Sequence, residues 1–143
     1  MLADSVPFSR VLGVQVVSVS DEQAETLLPA SPERLNHVGT VHAVAQFGQG
    51  ETTSGILLVA LFNDLQAQGI VPVAADVAIH YRKPARGDLH GAAILPRDEQ
   101  ARIRAEVRET GRARVTIPVT LRDDEGTVTT EFEIDWVLLK PRA

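Results

Sequence analysis

The chain of 143 residues contains no cysteine. It therefore has no disulfide framework, no thiolate nucleophile and no cysteine-ligated metal site. The N-terminus also lacks a basic region followed by an apolar core, the pattern of a secretion signal. From these two absences we expect a cytoplasmic protein.

No apolar run is long enough to cross a membrane. The most apolar region, Val41 to Phe62, is interrupted by Gln46, Gln49 and Glu51, and its longest unbroken piece is Ile56 to Phe62. That piece is far shorter than the ~18 residues a membrane span requires. An excess of positive charge is lacking too, since the net charge is −5, which argues against non-specific nucleic-acid binding.

What is present is an ordinary globular composition, with 44% hydrophobic and 23% charged residues. A chain of this length can bury a proper core. There is no repeat, low-complexity segment or internal linker, so we predict one domain spanning residues 1–143.

The segment Val41 to Phe62 predicts a long central helix. Because it is apolar nearly all round, we expect it to be buried. It holds three glycines although each costs roughly 1 kcal/mol relative to alanine in a helix, so we expect them to allow a sheet to approach closely. Glu51 is the only carboxylate in this segment. A buried carboxylate is costly unless it is paired or functional, which makes Glu51 a candidate catalytic residue.

The segments around this helix alternate in the way strands do. A short helix is predicted from Ser5 to about Gly13, and Gly69 is predicted to end the central helix. β-Branched and apolar residues predict an antiparallel hairpin from the strands Val14–Val19 and Gln23–Leu28. Period-2 alternation predicts strands at Val73–Arg82, Ala113–Leu121 and Val128–Leu138, with a further strand at Leu89–Leu95.

The segment from Asp98 to Gly111 fits two patterns. Its apolar residues alternate as in a strand, but Asp98 is a good helix N-cap, acidic residues open the segment and Gly111 closes it. We predict a short surface helix. The fold class is then α+β, with a five- or six-stranded antiparallel sheet curled around one long helix.

From residue 8 to residue 139 the chain resembles the hotdog-fold acyl-CoA thioesterases, most closely the phenylacetyl-CoA and 4-hydroxybenzoyl-CoA branch. In that branch an Asn or Gln precedes a His-Gly-Gly-like helix start, and an Asp or Glu follows inside the helix. Here Asn36, His42-Ala43 and Glu51 have that spacing, with Glu51 fifteen residues after Asn36 and nine after His42.

The stretch from Tyr81 to Asp88 also looks like the turn between the third and fourth strands of these proteins. Two features depart from the pattern. Ala43 stands where the glycine after the histidine is usual, and the Asp98–Gly111 segment is inserted where many members have a plain turn. The inserted segment is similar to a less characterised hotdog branch.

The resemblance implies hydrolysis of an acyl-CoA or acyl-carrier thioester. Free backbone N–H groups at a helix start, here Val41 to Ala43, can polarise the thioester carbonyl. Glu51 would act as a general base or as a nucleophile. Because it lies about 12 Å along the helix from Ala43, it would serve either a thioester lying across the groove or one held by the helix start of a second subunit, and the proteins it resembles have the second arrangement. We therefore expect a homodimer or a homotetramer, with sites at the subunit interface as in the proteins it resembles.

The remaining residues have supporting or alternative roles. Asn36 is either functional or a loop cap, and His42 is expected to support the site without transferring protons. Arg82, Lys83 and Arg86 are candidates for contacting the phosphates of coenzyme A, although basic turn residues are usually just solvated. We expect no metal site and no cofactor other than coenzyme A as part of the substrate. A non-catalytic acyl-CoA-binding protein is the alternative function, followed by a hotdog dehydratase or hydratase.

Overall fold

The computed structural model describes residues 6–142. Its helices are α1 (Pro7–Leu12), α2 (Ala43–Leu61), α3 (Asn63–Gln66) and α4 (Arg97–Thr110), with a 3-10 turn at Pro32–Arg34. Its strands are β1 (Gln15–Val19), β2 (Gln23–Leu28), β3 (Val71–Tyr81), β4 (Leu89–Ile94), β5 (Arg112–Arg122) and β6 (Val128–Leu139). The elements predicted from the sequence are all present, although Ser5, placed at the start of the first helix, lies outside the described residues.

The strands form one six-stranded antiparallel sheet in the order β1-β2-β4-β5-β6-β3. The sheet wraps around α2, whose inner side packs against β2, β4, β5, β3 and β6. This is the α+β hotdog architecture that the resemblance implied. Strands β1 and β3 lie at the two edges, so β3 pairs with β6 alone.

Two of the three glycines of α2 allow the close approach of the sheet that the sequence predicted, whereas the third, Gly48, faces Leu12 on α1. A Cβ atom at Gly50 would lie 2.5 Å from the ring of Phe132 on β6, and one at Gly55 would lie 3.3 Å from Trp136. The helix and the sheet are also tied by buried hydrogen bonds. Trp136 Nε1 donates to Ser54 Oγ at 3.0 Å, so the inner side of α2 carries polar contacts as well as apolar ones.

The expectation that α2 is buried nearly all round is wrong for the single chain. Val44 is 64% exposed and Phe47 is 37% exposed. Glu51 and Val59 are half-buried and continue the same side of the helix. Val44, Phe47, Glu51 and Val59 form an outer stripe on α2 that the chain's own sheet leaves partly uncovered.

The central helix ends earlier than predicted. It stops at Leu61 because Phe62 leaves the helical conformation, with φ −121° and ψ 30°, and the short α3 follows. Arg104 on α4 donates to the carbonyl oxygen of Leu61 at 2.8 Å and so satisfies one of the open carbonyls at this helix end. Gly69, with φ 83°, ends the turn after α3 rather than the long helix.

The segment at 98–111 is a helix, as predicted, and Gly111 follows it in the left-handed conformation at φ 76°. Pro96, and not Asp98, is the N-cap residue. Asp98 lies in the first turn, where a negative charge favours the helix dipole. Ile103 and Val107 form the buried side that packs on β5. Among residues 6–142, no helix is long and apolar enough to span a membrane.

Candidate active site at the start of the central helix

The loop that precedes α2 is closed by Asn36. Its side-chain oxygen accepts hydrogen bonds from the backbone N–H groups of Val38 and Thr40, both at 3.1 Å. Its side-chain nitrogen donates to Thr40 Oγ1 at 2.8 Å. Because both ends of the side chain are engaged within the loop, the geometry of Asn36 is that of a loop-closing residue.

The backbone N–H groups at the start of α2 are largely occupied. Val41 donates to the carbonyl oxygen of Ala85 at 2.8 Å, and His42 donates to that of Arg34 at 2.7 Å. Within the described chain, the N–H of Ala43 has no acceptor, so of the three groups considered from the sequence only this one is open to a ligand. Its position explains why: Ala43 is the first helical residue, and such residues have no intrahelical acceptor.

His42 caps the helix and does not face the same side as Ala43. Its ring Nδ1 accepts a hydrogen bond from the N–H of Val44 at 3.0 Å. The ring lines a groove of about 580 Å³ between α1 and the start of α2, together with Phe8, Val11 and Ala45. In this position His42 fixes the first turn of α2 through its ring nitrogen, and its supporting role in catalysis stays a prediction.

A second groove, of about 400 Å³, lies between the start of α2 and the turn after β3. It brings together five residues singled out from the sequence, namely Asn36, Ala43, Arg82, Lys83 and Arg86. The turn is held against the helix start because the buried Ala85 accepts the hydrogen bond from Val41. We call this the α2–turn groove.

The three basic residues of this turn differ in their surroundings. Arg82 forms an ion pair with Glu131 at 2.9 Å, in which both side chains are about half exposed. Arg86 makes one long hydrogen bond, 3.5 Å, to the carbonyl oxygen of Gly39. In the described part of the chain, the ammonium group of Lys83 has no partner. Lys83 and Arg86 are thus the cations most available to an anionic ligand.

Two residues of the α2–turn groove were missed by the sequence analysis as site residues. Tyr81 donates its hydroxyl hydrogen to the carbonyl oxygen of Ala43 at 3.0 Å while remaining 48% exposed. Gln46 is buried, donates to the carbonyl oxygen of Val41 at 2.9 Å and accepts a hydrogen bond from Thr130. Tyr81 has one sequence signal, its position directly before the basic turn; Gln46 has none, because it lies in the middle of the helical pattern.

Glu51 lies on the outer stripe of α2, two helical turns beyond Ala43. Across residues 6–142, its carboxylate has neither a hydrogen-bond donor nor a cation as partner. Partial burial raises the pKa of this carboxyl group, because desolvation penalises the charged form. It does not line the α2–turn groove of its own chain, so the structure does not bring Glu51 and Ala43 together within one copy.

His37 and His80 are both exposed. Throughout residues 6–142, no three His, Asp or Glu side chains are grouped so that they could hold a metal ion.

A family model described as a domain of unknown function, DUF4442, matches residues 1–138. The chain belongs to the DUF4442 family. No curated protein matches this DUF4442 chain significantly.

Solved structures with the same fold resemble this DUF4442 chain over almost its whole length. One is a Pseudomonas aeruginosa protein of unknown function named a probable thioesterase, with 22% identity and a TM-score of 0.86, covering 98% of this chain and 91% of the other. A Chlorobaculum tepidum protein of unknown function has 17% identity and a TM-score of 0.85, covering 98% and 90%. A mutant thioesterase from P. aeruginosa has 12% identity and a TM-score of 0.76, covering 97% and 90%. At these identities the likeness establishes the hotdog fold.

Proposed function

We propose that this protein hydrolyses the thioester of an acyl-CoA. The observation that carries the proposal is Glu51, a partly buried carboxylate without a partner on the outer stripe of α2. A carboxylate kept out of ion pairs and with a raised pKa is a suitable general base. Two of the similar structures described above are named as thioesterases, one of them as a probable one, which supports the same reaction class.

The open N–H of Ala43 would stabilise the oxyanion that forms during hydrolysis. In thioester hydrolysis, negative charge develops on the carbonyl oxygen as the attacking oxygen adds to the carbon. A backbone N–H directed at that oxygen stabilises the transition state by about 3–4 kcal/mol, as measured by removal of such donors. Ala43 serves this role as well as glycine would, because the N–H is the functional group.

Glu51 and Ala43 would meet between two copies of the chain. They are eight residues apart on one helix, about 12 Å, which is too far for one carboxylate and one N–H to act on the same thioester carbon. Val44 and Phe47 expose apolar surface beside Glu51, and burying such surface against a second copy is favourable. In a homodimer, or a homotetramer built from such dimers, Glu51 of one copy faces the start of α2 in the other.

The proposed hydrolysis consists of the addition of water to the thioester and the departure of the thiol. As a general base, Glu51 takes a proton from water while the water oxygen adds to the thioester carbon, and the oxyanion is held by the N–H of Ala43 of a second copy. The C–S bond breaks, and the proton on Glu51 passes to the departing thiolate, which gives a carboxylic acid and a thiol. If Glu51 is instead the nucleophile, its carboxylate displaces the thiolate, which takes a proton from water, and the acyl-enzyme anhydride so formed is then cleaved by water. ¹⁸O found in Glu51 after a single turnover in ¹⁸O-labelled water establishes this second route with water attacking the Glu51 carboxyl carbon, because a general base never forms a bond to the water oxygen.

Lys83 and Arg86 would hold the phosphates of coenzyme A in the α2–turn groove. Both cations are exposed and little engaged within the chain, so a phosphate can approach them without breaking a strong ion pair. Arg82 contributes less, because Glu131 already neutralises it.

A panel of acyl-CoA esters tests the proposal, with release of free thiol as the readout and light scattering to establish the assembly. We expect hydrolysis of at least one ester by a dimer or tetramer, and its loss in Glu51→Gln. A stable monomer at micromolar concentration would contradict the shared site. Acyl-CoA binding without thiol release from any ester would favour a non-catalytic binding protein.

A further inference from the structure

We propose that the Tyr81 hydroxyl oxygen accepts a hydrogen bond from the amide N–H nearest the sulfur in the pantetheine arm of the substrate. This contact favours thioesters that carry the arm over those that do not. The inference rests on the proposed thioester hydrolysis and assigns a specificity-determining role to a residue that the mechanism above does not use. Tyr81 lines the α2–turn groove between the basic turn and the helix start.

The hydrogen bond of Tyr81 decides which kind of partner it can take. A backbone carbonyl oxygen can only accept, so the phenol hydrogen is donated to Ala43, 3.0 Å away. The hydroxyl oxygen keeps its lone pairs, and Tyr81 is 48% exposed and lines the groove. Desolvation raises the pKa of the phenol, so it keeps its proton at neutral pH. The group that Tyr81 presents to a ligand is therefore an acceptor, and its partner has to be a donor.

The α2–turn groove offers a group for each part of an acyl-CoA. It is lined by the cations Lys83 and Arg86, by Tyr81 and by Ala43, and the Tyr81 hydroxyl lies 3.0 Å from the carbonyl oxygen of Ala43, the residue whose N–H is open. In acyl-CoA the phosphates come first, the pantetheine amides follow, and the thioester carbonyl is last. The amide N–H closest to the thioester is separated from the sulfur by two methylene groups. When the thioester carbonyl is held by the N–H of Ala43, this amide N–H comes within reach of the Tyr81 oxygen, which lies beside Ala43.

The same arm occurs in coenzyme A and in acyl carrier proteins, so Tyr81 recognises the chemistry that both share. It would not recognise a simple alkyl thioester, which has no amide N–H. The distinction separates a specificity role from a structural one. If Tyr81 only steadied the first turn of α2, its loss would slow the hydrolysis of every thioester equally.

The test compares wild type with Tyr81→Phe, which keeps the ring and removes only the hydroxyl. The acyl group of the best acyl-CoA in the panel is presented as the CoA ester, the N-acetylcysteamine ester and the S-ethyl ester. The first two carry the amide N–H and the third does not. We expect kcat/KM to fall about 3- to 10-fold for the first two, the range of one neutral hydrogen bond, with most of the change in KM. The S-ethyl ester should be hydrolysed by both proteins at the same rate.

An equal loss with all three esters, or no loss with any, would overturn the role of Tyr81 while leaving thioester hydrolysis intact. If the wild type hydrolyses no thioester, the binding of acetonyl-CoA, a ketone that cannot be hydrolysed, still tests the inference. A Kd that is 3- to 10-fold weaker in Tyr81→Phe would support it although the proposed function had failed, and an unchanged Kd would overturn it. Comparing the wild-type kcat/KM for the same acyl group on coenzyme A and on an acyl carrier protein shows which of the two substrates is preferred.

Discussion

Phe132 on β6 lies so close to Gly50 on α2 that a Cβ atom added to the glycine would come within 2.5 Å of the ring. The contact brings the sheet and the central helix together at the middle of the core. Phe132 is itself buried, so the ring has little room to move away.

We expect Gly50→Ala to destabilise the protein. Alanine gains roughly 1 kcal/mol of helix propensity over glycine, but overpacking a core costs typically 1–3 kcal/mol, and here a whole aromatic ring has to shift. Gly55→Ala is the matched control, because its Cβ would meet Trp136 at 3.3 Å and needs only a small adjustment. Chemical denaturation of both variants should give the lower free energy of unfolding for Gly50→Ala. A Gly50→Ala protein more stable than wild type would show that the sheet can move away from α2 at little energetic cost.

Glu51→Gln should abolish most of the thioesterase activity without harming the fold. The amide keeps the size and hydrogen-bonding capacity of the side chain but is neither basic nor nucleophilic. A general base contributes about 10²–10⁴-fold, so kcat should fall by at least two orders of magnitude, measured as thiol release. Glu109→Gln, on the exposed side of α4, is the control and should retain full activity. A fully active Glu51→Gln would exclude the mechanism proposed here.

The raised pKa of Glu51 predicts two opposite responses to pH. Catalysis needs the ionised carboxylate, so kcat/KM should fall as the pH drops through a value above the ordinary range of a glutamate. Stability should change the other way. Between the unfolded and the raised folded pKa the native state binds more protons, so this residue lowers stability as the pH rises through that window. The difference in unfolding free energy between Glu51→Gln and wild type should therefore grow with pH and then level off, and a constant difference would contradict the shift.

Ala43→Pro removes the open N–H of the first helical residue of α2. Proline is well tolerated at the first position of a helix, and the preceding His42 has the extended conformation that proline requires, with φ −60° and ψ 140°. We expect the melting temperature to stay close to that of wild type while kcat falls about 10²–10³-fold. Ala43→Ser, which keeps the N–H, should remain active. Activity retained in a folded Ala43→Pro would place the oxyanion elsewhere.

Replacing Lys83 or Arg86 by alanine should raise KM for acyl-CoA much more than it lowers kcat. The effect should shrink as salt is added, because exposed charges are screened. Arg82→Ala is the internal comparison, with a smaller rise expected because Arg82 is paired with Glu131. The N-acetylcysteamine ester has no phosphate, so its KM should be unaffected by all three changes. Equal KM values for acyl-CoA in wild type and in all three variants would show that these residues are solvated turn residues that do not bind the phosphates.

Much of the fold could be predicted from local pattern. The alternation in residues 113–121 and 128–138 predicts two strands because side chains of a strand point to opposite faces, and β5 and β6 bury the predicted positions such as Ile117 and Ile134. Gly111 marked the end of α4 because a glycine can take the left-handed conformation found there. The end of α2 was misplaced, because no glycine or proline marks the break at Phe62 and the carbonyl of Leu61 is satisfied by a residue from far along the chain, Arg104.

The candidate site, too, could be predicted only in part from the sequence. The sequence by itself determined that a lone carboxylate, Glu51, stands in an otherwise apolar helix, because that is a matter of composition and spacing along one segment. Only the tertiary structure decided which groups are open to a ligand. Contacts with Arg34 and Ala85, distant in the chain, occupy the N–H groups of His42 and Val41 and leave that of Ala43. Spacing along a helix fixes which residues share a face. The hydrogen-bond partners of a helix start come from other segments, and the positions of those segments depend on how the whole sheet wraps around α2.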